Sequence, residues 1–410
     1  MTHTLASVAG NFPKSAQIKY FNILFIDAMY LSNQKISGLS WIRGGFTGVN
    51  RVCILIPQYN ESNRTNFSER LNYFRGLASQ YNNVIDLILI DDGSTDDSLD
   101  QINSYINIWP ESFFVASSFP NGNKVGALHR VALSVPHEFI ILSDFDTDLV
   151  GLDALVSQIS DWKNQPNKMG FYFRMIPYEG SGNIFQYQQL EYCIQRLWYQ
   201  YHRADSTVPV MPGAGCCYRR EVLLSIYQEH SGLRNGEDRE ATMIGIRLGY
   251  STVYLDSVLA LTRPPLTYQD LVKQRIRWNL GYIETVFFER DTYRKEVASF
   301  TSMGTRLLHD ILYVLVLLVL PFLFLYSCIF NPKLLLFWGL GYVFYSLFII
   351  SLLKTLPRES IEIRGGIVRR ALLFPAIKVF VESRAWCAAT LKFLAARGKS
   401  SRRISNGDRF

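Results

Sequence analysis

From Arg51 onward, short and mostly apolar runs alternate with longer stretches whose apolar positions recur every three or four residues. Val52–Ile56, Val84–Ile90, Phe113–Ala116, Phe139–Leu142 and the later Val253–Leu255 are runs of strand length. Runs of this kind predict strands covered on both faces. Between and after them, the spacing predicts helices. One ends near Ser79, one starts at about Asp96, and the others are Phe185–Tyr201, Arg239–Leu248 (closed by Gly249) and Tyr268–Phe288. Strands alternating with helices predict an α/β domain with a doubly wound, mostly parallel sheet and helices on both faces. After Asp148 the alternation loosens, and Gly213-Ala214-Gly215 reads as a loop.

The pattern changes at Ile311. Ile311–Phe330 and Leu334–Leu353 are uncharged runs of 20 residues each, separated only by Asn331-Pro332-Lys333. A helix of 20 residues spans about 30 Å, the thickness of a hydrocarbon core, so the pair predicts a transmembrane hairpin. Pro321 is tolerable in a membrane helix. Arg306 precedes the hairpin and Lys354, Arg358 and Arg364 follow it, which predicts both ends on the cytoplasmic side. Gly366–Ala396 is apolar but carries Arg369, Arg370, Lys378, Glu382, Arg384 and Lys392. An amphipathic segment lying on the membrane surface is cheaper than burying those charges.

Composition fits this division. A mean hydropathy of +0.05 averages unlike parts, and 14% aromatic residues with 19% charged argue against a disordered chain. Of the net +7, residues from Lys354 on carry 13 Lys and Arg against 4 Asp and Glu, which leaves −2 for everything before. A basic segment after an apolar hairpin points to anionic lipid, and no nucleic-acid-binding signature is present. The six cysteines form no Cys-x-x-Cys pair and read as reduced thiols. No signal peptide of the usual form opens the chain. Tyr20–Leu31 fits an interfacial helix and equally a helix packed on the next domain. The expected organisation is an N-terminal segment, 1–50; a catalytic domain, 51–300; two transmembrane helices, 306–354; an amphipathic interfacial segment, 355–397; and a disordered basic tail, 398–410.

Three polar clusters follow three of the expected strands: Pro57-Gln58-Tyr59-Asn60-Glu61, Asp91-Asp92-Gly93-Ser94-Thr95-Asp96 and Asp144-Phe145-Asp146-Thr147-Asp148. In an open parallel sheet, ligands bind beyond the carboxyl ends of the strands, so the clusters should converge on one crevice. Asp144 and Asp146 are two apart and can point the same way from extended backbone. Two such carboxylates repel unless a cation lies between them, and a hard divalent cation with a diphosphate satisfies both. Surface solvation after a strand is the plainer reading of the pair in isolation. Gln274, Arg277 and Trp278 share one helix face, which also suits an interfacial Trp/Arg anchor. Gly236-Glu237-Asp238 opens a helix, where a carboxylate taken alone reads better as a cap.

The ordered set resembles the family-2 glycosyltransferases of the GT-A fold, in the membrane-bound branch that includes hyaluronan, chitin and cellulose synthases. The motifs are Pro57-x-Tyr59-Asn60-Glu61, Asp91-Asp92-Gly93-Ser94, Asn123-Lys124-x-x-Ala127-Leu128, Asp144-x-Asp146, Gly213-x-Gly215-x-x-Tyr218-Arg219-Arg220, Gly236-Glu237-Asp238 and Gln274-x-x-Arg277-Trp278. The resemblance implies a membrane-bound enzyme moving a sugar from a UDP-sugar, with inversion, to an acceptor hydroxyl. It implies Asp238 as the general base, and Pro57, Tyr59, Glu61, Asp92, Lys124, Asp144, Gln274 and Arg277 on the donor. Asp144 and Asp146 would hold Mg²⁺ or Mn²⁺. Gly213, Gly215, Glu237 and Trp278 would face a carbohydrate or lipid acceptor. His129 stands where relatives often carry Asn. Two spanning helices cannot enclose a polysaccharide path. The expectation therefore divides between polymer synthesis completed by a homo-oligomer or export partner, a larger contribution from Gly366–Ala396, and transfer of one sugar to a lipid. A non-enzymatic nucleotide-sugar-binding scaffold is the remaining reading.

Overall fold

The computed structural model describes residues 38–46, 50–63, 67–202, 207–354 and 366–405. The strands are β1 (Leu39–Arg43), β2 (Val52–Gln58), β3 (Ile85–Asp91), β4 (Phe113–Ser118), β5 (Phe139–Ser143), β6 (Thr147–Val150), β7 (Lys168–Pro177), β8 (Gly215–Arg219) and β9 (Ser251–Thr262). They form one nine-stranded sheet in the order β1-β4-β3-β2-β5-β8-β7-β9-β6. The Tyr20–Leu31 expectation lies outside the described residues.

Side chains of β2 alternate between two cores. Val52, Ile54 and Ile56 join one, and Cys53 and Leu55 the other. In β3, Ile85, Leu87 and Leu89 oppose Ile88 and Ile90 in the same way. This is why these strands read as apolar runs: both faces are covered. The first face packs under α1 (Phe67–Gln80), α2 (Ser98–Ser104) and α4 (Leu152–Ile159) through Phe67, Leu71, Phe74, Ile102, Leu152 and Leu155. The second packs under α3 (Asn123–Ser134), α6 (Arg220–Glu229) and α7 (Glu237–Arg247) through Leu128, Val131, Val222, Leu223 and Ile244. Each such aliphatic side chain contributes about 1.5–3 kcal/mol when fully buried.

The doubly wound α/β expectation is met, with a correction to the pairing. β4, β3, β2 and β5 are parallel neighbours, as are β7 and β9. β1 on β4, β8 on β5 and β7, and β6 on β9 are antiparallel, so the sheet is mixed, not mostly parallel. Strand β1 also places the start of the sheet before the expected boundary at 51. Polar and glycine positions such as Asp148, Gly170 and Arg174 interrupt the later strands, which removes the apolar-run signal.

Beyond the sheet lie α5 (Gly182–His202), α8 (Tyr268–Phe288), α9 (Arg290–Ala298), α10 (Ser302–Phe330), α11 (Leu334–Lys354) and α12 (Ile367–Ser405). Helices α10 and α11 are long and apolar enough to cross a membrane, with mean hydropathy 2.6 and 1.9, and only 11% of each apolar window is buried. A third core joins this hairpin to the sheet domain. It combines Tyr187 and Leu190 of α5, Leu271 and Val272 of α8, Ile349 and Leu353 of α11, and Phe374 and Val381 of α12. Part of the segment expected to lie on a membrane surface, in α12, packs between these helices. The tail expected to be disordered from 398 is helical to Ser405.

Candidate active site

The carboxyl ends of β2, β3, β4 and β5 lie side by side, with Gln58 in register with Asp91 and Asp91 with Ser117. The loops that leave them are laced together. Asn60 N–H donates to Ser94 Oγ at 3.0 Å, Thr95 N–H to Asn60 Oδ1 at 2.8 Å, and Glu61 N–H to Ser98 Oγ at 3.2 Å. Asn60 has φ 55°, a left-handed conformation that Asn tolerates. Asp92 is buried, and its Oδ1 accepts from Gly122 N–H at 2.9 Å and Ser118 Oγ at 3.3 Å. Burial outweighs these donors and pushes the Asp92 carboxyl up to about 6. Tyr59, beside it at the strand end, is 40% exposed.

The loop holding Asp144 and Asp146 is fixed by two arginines. Arg70 of α1 donates to the carbonyls of Phe145 at 2.8 Å and Thr147 at 3.0 Å, and pairs with Asp148. Arg263, just after β9, donates to the Asp146 carbonyl at 3.0 Å and pairs with Asp148 at 3.1 Å and Glu179 at 2.6 Å. Asp148 is thus neutralised, and the loop backbone is held from both sides. The Asp146 carboxylate receives neither guanidinium. Burial, then the charges of Asp144 and Glu61, push it up to about 6. Two crowded carboxylates with that bias fit a hard divalent cation. Among the described residues, no group of three or more His, Cys, Asp or Glu side chains could hold a metal. A cation here would take its other ligands from phosphate oxygens and water.

Lys124, in the first turn of α3, connects this loop to α7. Its Nζ lies 2.5 Å from Asp144 Oδ1, 3.5 Å from Glu237 Oε1 and 3.5 Å from the Gly213 carbonyl. Burial pulls its pKa down, but Asp144 and Glu237 outweigh that and hold it above the ordinary lysine value. Gly213 N–H in turn donates to Asp238 Oδ2 at 3.3 Å. A Cβ on Gly213 would lie 3.1 Å from Lys124 Nζ and 3.5 Å from Asp238 Cβ, so glycine lets the two side chains close around it. Burial raises the Glu237 carboxyl, and Lys124 opposes the rise. Lys124, Gly213, Cys216, Tyr227, Glu237 and Asp238 line one small pocket.

Helix α8 brings the remaining motif to the same place. Gln274, Arg277, Trp278 and Gly281 recur at three- and four-residue steps and form one stripe. At its end, a Cβ on Gly281 would come 2.5 Å from the Asn235 carbonyl carbon. A Cβ on Gly236, the left-handed N-cap of α7, would come 2.9 Å from Gly281. The stripe therefore abuts the backbone that presents Glu237 and Asp238. On it, Gln274 Oε1 is buried without a hydrogen-bond partner, Arg277 is exposed and Trp278 is 41% exposed.

A profile described as glycosyl transferase family group 2 matches residues 143–350, half of the chain. One described as glycosyl transferase family 2 matches residues 53–226. The chain belongs to the family-2 glycosyltransferases. An N-acetylglucosaminyltransferase of Mesorhizobium japonicum is 24% identical over 247 residues, 55% of this chain and 54% of that protein. One of Azorhizobium caulinodans is 23% identical over 243 residues, 56% of this chain and 58% of that protein. The chain spans about half the length of these curated relatives. A solved mannosyltransferase of Pyrobaculum calidifontis, in complex with GDP-Man and Mn²⁺, superimposes with TM-score 0.49 at 15% identity, covering 91% of this chain and 94% of that one.

In this family-2 chain, direct contacts join Lys124, Asp144, Gly213, Glu237 and Asp238. Asp92, with Pro57 and Tyr59, sits on the same sheet edge, and Glu61 faces Asp146 electrostatically. Gly215 differs from its expected place facing an acceptor. It is a buried β8 residue in register with Ser143, and a Cβ there would lie 2.6 Å from Ala260 Cβ. Arg70, Arg263 and Gly281 were not singled out from the sequence. Gly281 continues the spacing of Gln274 and Trp278 by one turn and was findable; the arginines carry no local signal.

Proposed function

We propose that this glycosyltransferase is membrane-bound and moves a sugar from a UDP-sugar, with inversion, to a hydroxyl of an acceptor presented at the cytoplasmic membrane surface, in polysaccharide synthesis. The observation that carries the reading is the unbroken contact chain Asp144–Lys124–Gly213–Asp238, which sets a candidate base beside a candidate phosphate site. N-acetylglucosamine is the first sugar to test, because both curated relatives carry that activity in their names.

Asp92, with Pro57 and Tyr59, receives the uracil ring, whose N–H donates to a carboxylate. Glu61, Gln274 and Arg277 complete the donor side, the guanidinium suiting phosphate oxygens. Asp144 and Asp146 would hold Mg²⁺ or Mn²⁺, which offsets charge on a departing diphosphate. Lys124 then serves phosphate and Glu237. Asp238 takes the proton as the acceptor oxygen bonds to the anomeric carbon. The bond from that carbon to the phosphate oxygen breaks in the same displacement, and the configuration inverts. Gly213, Glu237 and Trp278 bound the acceptor side, the indole offering a flat face to a sugar ring.

Helices α10 and α11 supply the anchor, with Arg306 and Lys354 on the cytoplasmic side. Two candidate spans favour a second reading, transfer of a single sugar to a lipid, over secretion of polymer by a lone chain. The deciding experiment incubates the detergent-purified full chain with radiolabelled UDP-sugars and Mg²⁺ or Mn²⁺, then sizes the product. Transfer from one UDP-sugar is expected. Equal product from wild type and Asp238→Asn, or from no UDP-sugar at all, contradicts the reading. A ladder of lengths selects polymer synthesis, and a one-sugar glycolipid selects the alternative.

A further inference from the structure

Below Trp278, four charged side chains from three helices meet, three of them buried and the fourth, Lys378, partly so. Arg275 of α8 pairs with Glu191 of α5, and its Nε lies 3.8 Å from Glu382 Oε1 of α12. Lys378 of α12 bridges the same acids, 2.6 Å from Glu191 and 3.8 Å from Glu382. Arg275 and Glu191 are each 4% exposed and Glu382 is 5% exposed. Tyr187 OH donates to Glu191 at 3.1 Å, and Asn279 Nδ2 reaches Glu382 at 3.5 Å. The Arg275 guanidinium carbon sits 4.4 Å from the centre of the Trp278 ring.

Stability alone does not account for this arrangement. Replacing a buried ion network by apolar groups of similar volume is often neutral or stabilising, whereas a network fixes direction. Here the planar fork of Arg275 has its orientation set by carboxylates, and its face is given to an indole. Trp278 itself remains 41% exposed, so one side of the ring is covered while surface remains for a ligand. The two residues of α12 that fix the fork are 100 or more positions from Trp278 in sequence.

We infer that Arg275 is a positioning residue, held by Glu191, Glu382 and Lys378, that fixes the Trp278 indole for the acceptor sugar and so places acceptor affinity under the control of α12. The inference rests on the acceptor role proposed for Trp278. Arg275 touches neither substrate; it acts through the ring it supports.

The test uses the detergent-solubilised full chain, UDP-N-acetylglucosamine as donor and chitotetraose as acceptor probe. Arg275→Met and Lys378→Met are measured alone and with Trp278→Ala. Each should raise KM for chitotetraose by about five-fold or more and leave UDP binding, by calorimetry, within about two-fold of wild type. Neither should add to the KM once Trp278 is alanine, because coupled residues are non-additive. An equal effect in the Trp278→Ala background, or a parallel loss of UDP binding, overturns the inference. Lys378→Met guards against an Arg275 variant that fails to fold, since Lys378 is the more exposed member. A second readout needs no turnover. Acrylamide quenching of Trp278 fluorescence, taken as the difference between each protein and its Trp278→Phe counterpart, should rise about two-fold in both variants. Unchanged quenching overturns the positioning role even if the proposed reaction is right. A wild type that transfers nothing counts against the reaction and leaves the quenching result to decide the positioning role.

Discussion

The two sides of the candidate site are built by different means. On the side of Asp92, Asp144 and Asp146, the carboxylates stand on loops at strand ends, and main-chain hydrogen bonds and two arginines hold the backbone beneath them. Two of these carboxyls sit near 6, pushed there by burial. On the side of Asp238 and Trp278, the residues stand on helix faces. There, a glycine contact and a buried charge network set the position of whole helices. The first side is poised to receive charge, and its affinity should follow pH and cations. The second is already charge-balanced, and its performance should follow packing.

The largest effect that could break this contrast lies at Asp238, the proposed base. Asp238→Asn should lower kcat by about 10²–10⁴-fold with UDP affinity unchanged, read by steady-state kinetics and calorimetry. If UDP affinity falls instead, Asp238 belongs to the donor side. Next comes Asp146→Asn, which should cost at least about 100-fold in Mg²⁺- or Mn²⁺-dependent transfer. Undiminished turnover of that variant in EDTA would remove the metal from the account.

The pH dependence sharpens the donor side. Asp92 and Asp146 are proposed to act as carboxylates, and burial pushes both up to about 6, above the usual carboxyl value of 3.8. Donor affinity should therefore fall as pH drops below about 6, by up to about ten-fold per pH unit for each proton taken up. Stability has the opposite sign for the same groups. A carboxyl raised by the fold costs stability while ionised, and protonation between 6 and 3.8 relieves that cost. UDP titrations from pH 7.5 to 5 should show the loss, and Asp92→Asn should reduce its slope by one proton. An unchanged slope would mean Asp92 does not titrate on donor binding.

The smallest effect tests the acceptor side by volume alone. Gly281→Ala inserts a methyl where the Asn235 carbonyl carbon lies 2.5 Å away. Overpacking of this kind costs about 1–3 kcal/mol, and here it should push α8 from the start of α7. Denaturant unfolding should register the cost, and the KM values for acceptor and donor should both rise, because Trp278 and Arg277 stand on the same helix. Unchanged KM values would show that the contact of α8 with α7 positions neither.

The same contrast explains what could be read in advance. The strands β2 to β5 are apolar because both faces are covered, so their runs and the polar loops after them are contiguous in sequence. Helix α8 was expected at Tyr268–Phe288 and is observed there. The antiparallel strands escaped because Gly170, Arg174 and Asp148 break their patterns, and Gly215 was read as loop although it opens β8. The supporting contacts escaped for another reason. Arg70 meets Asp148 across 78 positions, Arg263 meets it across 115, and Lys378 meets Glu191 across 187. A lysine on an apolar segment reads as a snorkelling cation until the acid that receives it is folded against it.

The wedge formed by α12 has a mechanical consequence. Because α12 is packed at once on α8, α5 and the hairpin, the candidate site is joined to the apolar hairpin by a strut, with Phe374 and Val381 seated among side chains of all three. A catalytic head on a flexible tether would sample a range of heights above a bilayer and would meet acceptors of many lengths. A head on a strut works at one stand-off. With α10 and α11 placed in a bilayer as proposed, Trp278 would be carried at a fixed distance from the lipid surface, and the reach of the proposed acceptor, measured from its own anchor, would become a selection rule independent of its chemistry.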